Sequence, residues 1–233
     1  MPHSRPWMVR LSNYGNCGGT LISRQHILTA AHCSMFATDG KVTLGDHKAG
    51  YGSKNREKDE VTIKIKSQTK HPKYWLDDQV SGYDIAIWTL EHPVNLSDSI
   101  QPICLPTNQH QDYTGKKVET LGWGLSLWEP GWKSPRKNYG NKALQKLDMT
   151  VVPVSECKKS KWFFDRLKKA GRGFDETNSL CARTENVGLK KQWYGVNKGD
   201  SGGKYLVNTS KAEMKSPNII VYIKFLLMVL LLI

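Results

Sequence analysis

The chain has 233 residues, a formal net charge of +13 and a hydrophobic fraction of 39%, with a sequence pI near 9.5. That length suits one domain, or two small ones packed together, and can bury a real core, so a disordered chain is excluded. The basic balance permits attraction to a polyanion, but no nucleic-acid motif accompanies it and no nucleic-acid partner is expected.

In chain order, the first two-thirds read as short strands between turns. Apolar or alternating runs fall at 7–11, 19–22, 27–29 and 41–44. The run VTIKIK at 61–66 alternates cleanly and predicts a half-exposed strand. DIAIWTL at 84–90 and the run 118–122 follow, and LQKLDMTVVPV at 144–154 predicts a long strand entering a turn. Many short strands punctuated by glycine and asparagine argue for an all-β barrel or sandwich. One helix is predicted over 155–169, with Trp162, Phe163 and Leu167 among its lysines. Its basic run, from Lys158 and Lys159 to Arg172, reads first as a solvated face and second as a polyanion site.

The two ends are unusual. MPHSRPWMVRL has no apolar run of signal-peptide length. The segment 219–233 is nearly all apolar, broken by Lys224. It predicts a helix outside the packed domain and is short for a membrane span. A charge near the centre of a spanning helix costs about 2.5–3.5 kcal/mol, so a membrane anchor is the alternative expectation there and an altered terminus the other.

The chain has 5 cysteines. Cys17 and Cys33 bracket a short loop, Cys157 and Cys181 a longer one, and Cys104 stands alone. No CxxC occurs, and the plain reading is two disulfides plus one half-bridge. Disulfides imply an oxidising compartment, hence secretion. Two glycosylation sequons, Asn95-Leu96-Ser97 and Asn208-Thr209-Ser210, fit that compartment.

Chemistry concentrates in three places. In Gly199-Asp200-Ser201-Gly202-Gly203 a serine sits in a glycine-rich turn. The glycines let a substrate backbone approach, and neighbouring N–H groups can face an oxyanion. Alone, this is as readily a surface turn. His32 directly precedes Cys33, so a bridge to Cys17 would fix the backbone of a base. Asp84 opens an apolar strand, where an acid is either a turn cap or a buried partner for an imidazole.

Together these residues resemble the chymotrypsin/trypsin family of serine proteases. The resemblance runs from Pro6-Trp7 to about Val207. It includes PWMVRL, LTAAHC, YDIAI, Pro102-Ile103-Cys104-Leu105-Pro106, Gly122-Trp123-Gly124 and GDSGG. It implies an all-β fold of two packed antiparallel barrels, the first over 1–110 and the second over 111–213, with 214–233 as an added tail. It implies His32 as general base, Asp84 as its orienter and Ser201 as nucleophile, with the N–H groups of Gly199 and Ser201 as oxyanion hole. The expected function is peptide-bond hydrolysis through an acyl-enzyme, on protein or peptide substrates, without metal or cofactor. The alternative is an impaired homologue that binds a partner or polyanion. The α/β-hydrolases share Gly-x-Ser-x-Gly but place their histidine after the serine. All 7 histidines here precede Ser201.

Departures from the family pattern add expectations. The family's mature start, Ile-Val-Gly-Gly, is not found. Asn197 stands where the family has cysteine, and Lys204 where it has proline. The family's later Ser-Trp-Gly strand and C-terminal helix have no counterpart after Ser210. The second barrel is therefore expected to be incomplete and the chain zymogen-like, truncated at both ends. Cys104 matches a position that bonds to an upstream segment. Gly195 falls at the specificity-pocket position, where a small neutral residue favours apolar side chains. Asp46 and Glu60 flank a long turn, as calcium-loop acids do, but acids beside loops are common.

Overall fold

The computed structural model describes residues 3–11, 17–35, 40–48, 59–74, 83–105, 112–124, 143–159, 180–183, 205–207 and 220–221. Six strands close a barrel: β1 (Met8–Leu11), β2 (Cys17–Leu21), β3 (His26–Thr29), β4 (Lys41–Leu44), β5 (Val61–Lys70) and β6 (Ala86–Leu90). Their spatial order is β1-β2-β3-β6-β5-β4, with every neighbour antiparallel. Alternation decides the facing of each residue. Val42 opposite Ile63 points inward and is buried, while Lys41 opposite Lys64 points outward. The barrel interior is filled by Val9, Leu21, Ile27, Leu44, Trp88 and Leu90. Burying Trp88 requires a partner for its indole N–H, and it donates to Ser34 Oγ at 3.0 Å.

Two glycines are dictated by close approach. A Cβ on Gly19 would lie 2.8 Å from Ile27 Cγ2, so β2 and β3 could not pack as they do. Gly45 ends β4 at φ +71°, and a Cβ there would lie 2.6 Å from the Asp59 carbonyl oxygen.

The second unit is a five-stranded antiparallel sheet. It contains β7 (Lys117–Gly122), β8 (Gln145–Val152), β9 (Cys181–Arg183), β10 (Tyr205–Val207) and β11 (Ile220–Val221), ordered β11-β10-β7-β8-β9. The all-β class is thus shown, as one closed barrel and one open sheet among the described residues. The run 155–169 begins as a helix, α1 (Val154–Lys158), and residues 160–179 lie outside the described ones. The helix expected over 219–233 is corrected at its start. Ile220 and Val221 form a strand, paired opposite Val207 and Leu206. An apolar β-branched pair satisfies its backbone on a sheet edge as readily as in a helix, and composition alone cannot tell the two apart. Among the described residues no helix is long and apolar enough to cross a membrane.

Both expected disulfides are present. Cys17 bonds Cys33 with Cα atoms 6.1 Å apart, and Cys157 bonds Cys181 at 6.0 Å, inside the range a bridge allows. The second ties α1 to β9. Cys104 is free and exposed.

The two units meet along a seam. Trp7 and Met8 before and in β1 pack with Ile103, Leu121 and Trp123. Polar groups fasten the same seam. Arg5 donates through Nε to Glu119 Oε2 at 3.1 Å and through Nη2 at 2.5 Å, while Lys146 Nζ reaches Glu119 Oε1 at 3.2 Å and Asp148 Oδ1 at 2.9 Å. A nearly buried carboxylate is costly unless its oxygens are occupied, and here both are. The hydrogen bond to Asp148, opposed by burial and reinforced by Glu119, holds the Lys146 pKa above its ordinary 10.5. Its stabilisation is therefore full below that value and lost as pH rises through the raised one. Arg10 and Asp46 form a second ion pair, from β1 to the residue after Gly45.

Replacing Cys17 and Cys33 together by alanine should lower stability by about 3 kcal/mol, since the bridge closes a short loop. Urea unfolding of the oxidised parent and the double variant would measure this, and a difference below about 1 kcal/mol would show that other contacts already fix the loop.

Candidate active site

The register of β3 on β6 sets Thr29 opposite Ala86. In an antiparallel pair, the residues just beyond one position meet those just before its partner. His32 follows Thr29 by one short turn, and Asp84 precedes Ala86, so the ladder delivers both to the same end of the barrel. The chain leaving β3 is Ala30 and then a 3-10 helix, Ala31–Met35, with the Cys33 N–H donating to the Ala30 carbonyl at 3.2 Å. Ala30 and Ala31, beside the histidine, are fully buried.

Asp84 is held just as closely. The Ile85 N–H donates to the Tyr83 carbonyl at 2.8 Å, a three-residue turn with Asp84 at its centre. The Ile85 carbonyl accepts from the His71 N–H at 2.9 Å, and the Tyr83 ring stacks on His71 with centroids 4.9 Å apart. The next residues enter β6.

The Asp84 side chain is completely buried. Its Oδ1 accepts the backbone N–H of His32 at 2.7 Å, and its Oδ2 lies 2.5 Å from His32 Nδ1. A carboxylate accepts and does not donate, so Nδ1 carries the proton of that bond and Nε2 is left as the basic nitrogen of the neutral ring. One carboxylate thereby grips both the main chain and the ring of the same residue. The His32 side chain remains 12% exposed, so the ring is framed but not sealed.

Behind the histidine, Cys33 is tied to Cys17 in β2, and Thr29 Oγ1 donates to the Gly18 carbonyl at 2.8 Å. Cys17, His32 and Cys33 are close enough to suggest a metal cluster. Their sulfurs are bonded to each other, so this is a disulfide beside a base and not a ligand set.

Of the sequence-predicted site residues, the structure brings His32 and Asp84 together. Ser201, Gly199 and Gly195 lie outside the described residues. Asp46 has its Oδ2 on the Arg10 guanidinium. The sequence reading missed the second hydrogen bond of Asp84, to the His32 main chain. It also missed the Ser34 hydroxyl that receives the Trp88 N–H. Neither leaves a sequence signal, because each depends on pairing across more than fifty residues. A cavity of about 210 Å³ opens on the seam beside Arg5, Asp46, Leu121 and Lys146, with neither His32 nor Asp84 in its wall.

A protein-family model described as Trypsin matches residues 1–214. Granzyme B of Homo sapiens is 30% identical over 212 residues, which cover 89% of this chain and 74% of the granzyme. Granzyme M of Rattus norvegicus is 30% identical over 217 residues, covering 91% and 73%. Among solved structures, neuropsin, a serine protease expressed in the limbic system of mouse brain, superposes with a TM-score of 0.63 at 26% identity, over 89% of this chain and 80% of that one. With a family match of that extent on a six-stranded barrel that carries a histidine clamped to a buried aspartate, this chain belongs to the trypsin family of serine endopeptidases.

Proposed function

We propose that this chain cleaves peptide bonds through a Ser-His-Asp triad made of Ser201, His32 and Asp84. The observation that carries the reading is the double grip of Asp84 on His32. A base in catalysis needs a fixed tautomer and a fixed direction, and a carboxylate with no other role in the described structure supplies both. Ser201 enters from its GDSGG motif, as does the pairing of the Gly199 and Ser201 N–H groups in an oxyanion hole.

The chemistry follows from those roles. His32 Nε2 takes the hydroxyl proton of Ser201 as its oxygen attacks the scissile carbonyl. The N–H groups of Gly199 and Ser201 stabilise the oxyanion of the tetrahedral intermediate. The imidazolium, stabilised by Asp84, returns the proton to the leaving amine. Water, deprotonated by His32, then attacks the acyl-enzyme and frees the acid product and Ser201. Asp84 stays a carboxylate throughout. Substrates are proteins or peptides, and Gly195 at the pocket position favours an apolar side chain before the cleaved bond.

Both disulfides support an oxidising, extracytoplasmic location, and exposed Cys104 supports a bond to a further segment. No observation favours the binding-only alternative. The basic run that suggested a polyanion lies mostly outside the described residues.

A fluorophosphonate probe should label the purified chain, and Ser201→Ala should abolish both labelling and peptide hydrolysis. Asp84→Asn should lower kcat about ten-thousandfold, the general cost of the wrong imidazole tautomer in such triads. Undiminished labelling of the Ser201→Ala variant would sink the assignment of the nucleophile, and unchanged turnover by Asp84→Asn that of the orienter. Asp84→Ala should also cost about 1–3 kcal/mol of stability, because the His32 N–H is left without its acceptor. Thermal unfolding reads this independently of activity.

A further inference from the structure

The sequon Asn95-Leu96-Ser97 has no part in the chemistry above, and its setting in the fold is specific. The strand β6 ends at Leu90, and the chain that follows is strapped to the turn between β2 and β3. The Leu90 N–H donates to the Gln25 carbonyl at 2.9 Å, and Gln25 Nε2 donates back to the Leu90 carbonyl at 3.0 Å. The Val94 N–H donates to the Arg24 carbonyl at 2.8 Å, and Arg24 Nε donates back to the Val94 carbonyl at 3.1 Å. Val94 is itself buried. Three residues later the chain is pinned again, where Ser97 and Ile100 exchange hydrogen bonds of 3.0 and 3.2 Å. Between these two anchors, Asn95 and Leu96 face solvent.

Three properties of that short exposed stretch matter. Asn95 is exposed, and among the described residues its amide makes no hydrogen bond that substitution of its nitrogen would break. Leu96 is a large apolar side chain left 43% exposed beside it. A first sugar on Asn95 would find there an apolar surface for its own C–H face. Both disulfides fit an oxidising compartment, of the kind in which asparagine is glycosylated.

We propose that Asn95 is an N-glycosylation site and that its glycan covers Leu96 and the strap between β6 and the β2–β3 turn. In the transfer, the Asn95 amide nitrogen attacks the anomeric carbon of a lipid-linked oligosaccharyl pyrophosphate. The N-glycosidic bond forms as the carbon–oxygen bond to pyrophosphate breaks. The lipid pyrophosphate leaves with the electron pair, and the amide proton passes to a base of the transferase. The hydroxyl residue two positions on is the element the transferase reads, and Ser97 supplies it. This assignment does not depend on the catalytic reading.

The test is to direct the full chain into the secretory lumen of a eukaryotic cell behind a cleavable leader. Glycans are then released by a peptide-N-glycosidase in heavy-oxygen water, which hydrolyses the glycosylated side-chain amide to aspartate, and the peptides are mapped. Asn95 should appear as heavy-oxygen aspartate in chains whose Cys17–Cys33 bridge has formed, which certifies that they reached the lumen. Asn95→Gln and Ser97→Ala should each remove one glycan's electrophoretic shift, while Ser97→Thr should keep it. Unmodified Asn95 in bridge-containing chains would overturn the proposal, and so would glycan confined to Asn208.

Discussion

A buried carboxylate organises this molecule. Removing Asp84 from water is tolerable only because both of its oxygens are occupied. Both donors belong to His32. Satisfying the carboxylate and orienting the imidazole are therefore one event, and any fold that keeps Asp84 buried must also keep His32 in place. The surrounding elements serve that constraint. The β3–β6 register brings the two residues to one end of the barrel, the three-residue turn at 83–85 aims the acid, and the Cys17–Cys33 bridge fixes the chain directly behind the base.

A second buried acid plays a structural part. Glu119 in β7 receives Arg5 from the segment before β1 and Lys146 from β8. It couples the barrel to the second sheet where Trp7, Leu121 and Trp123 already exclude water. Breaking either contact would leave one oxygen of the nearly buried Glu119 without its donor, so the polar pairs hold the orientation that the apolar contacts only make favourable. In the proposed mechanism that orientation matters, since base and nucleophile come from different halves of the chain. Arg10 in β1 and Asp46 beyond β4 form a further pair, where a guanidinium meets one oxygen of an acid that the sequence had put beside a long turn.

Strand positions were legible because half-buried strands impose a period of two. VTIKIK announces itself through Ile63 facing in between the exposed Thr62 and Lys64. Boundaries were less legible. The strand β5 runs on to Lys70, past the end of the clean alternation. A bulge between Ile65 and Ser67 resets the facing, and hydrogen bonds to β6 carry the strand through polar residues. The apolar end misled, because hydrophobic content does not choose between helix and strand without a partner. Tyr205–Val207 is the partner that chose strand for Ile220 and Val221.

By itself, the sequence determined the all-β class through alternation and suggested the two cysteine bridges through spacing, both matters of local chemistry. The expected order His32, Asp84, Ser201 came from the resemblance carried by LTAAHC, YDIAI and GDSGG. Only the tertiary structure decided that Asp84 binds the main chain of His32 as well as its ring, and that Glu119 closes the seam with Arg5. It also decided which oxygen of each acid goes to which donor. These contacts join residues 52 and 114 positions apart. No local pattern records a pairing at that distance, because what selects it is the cost of leaving a buried charge unmatched once the strands have packed.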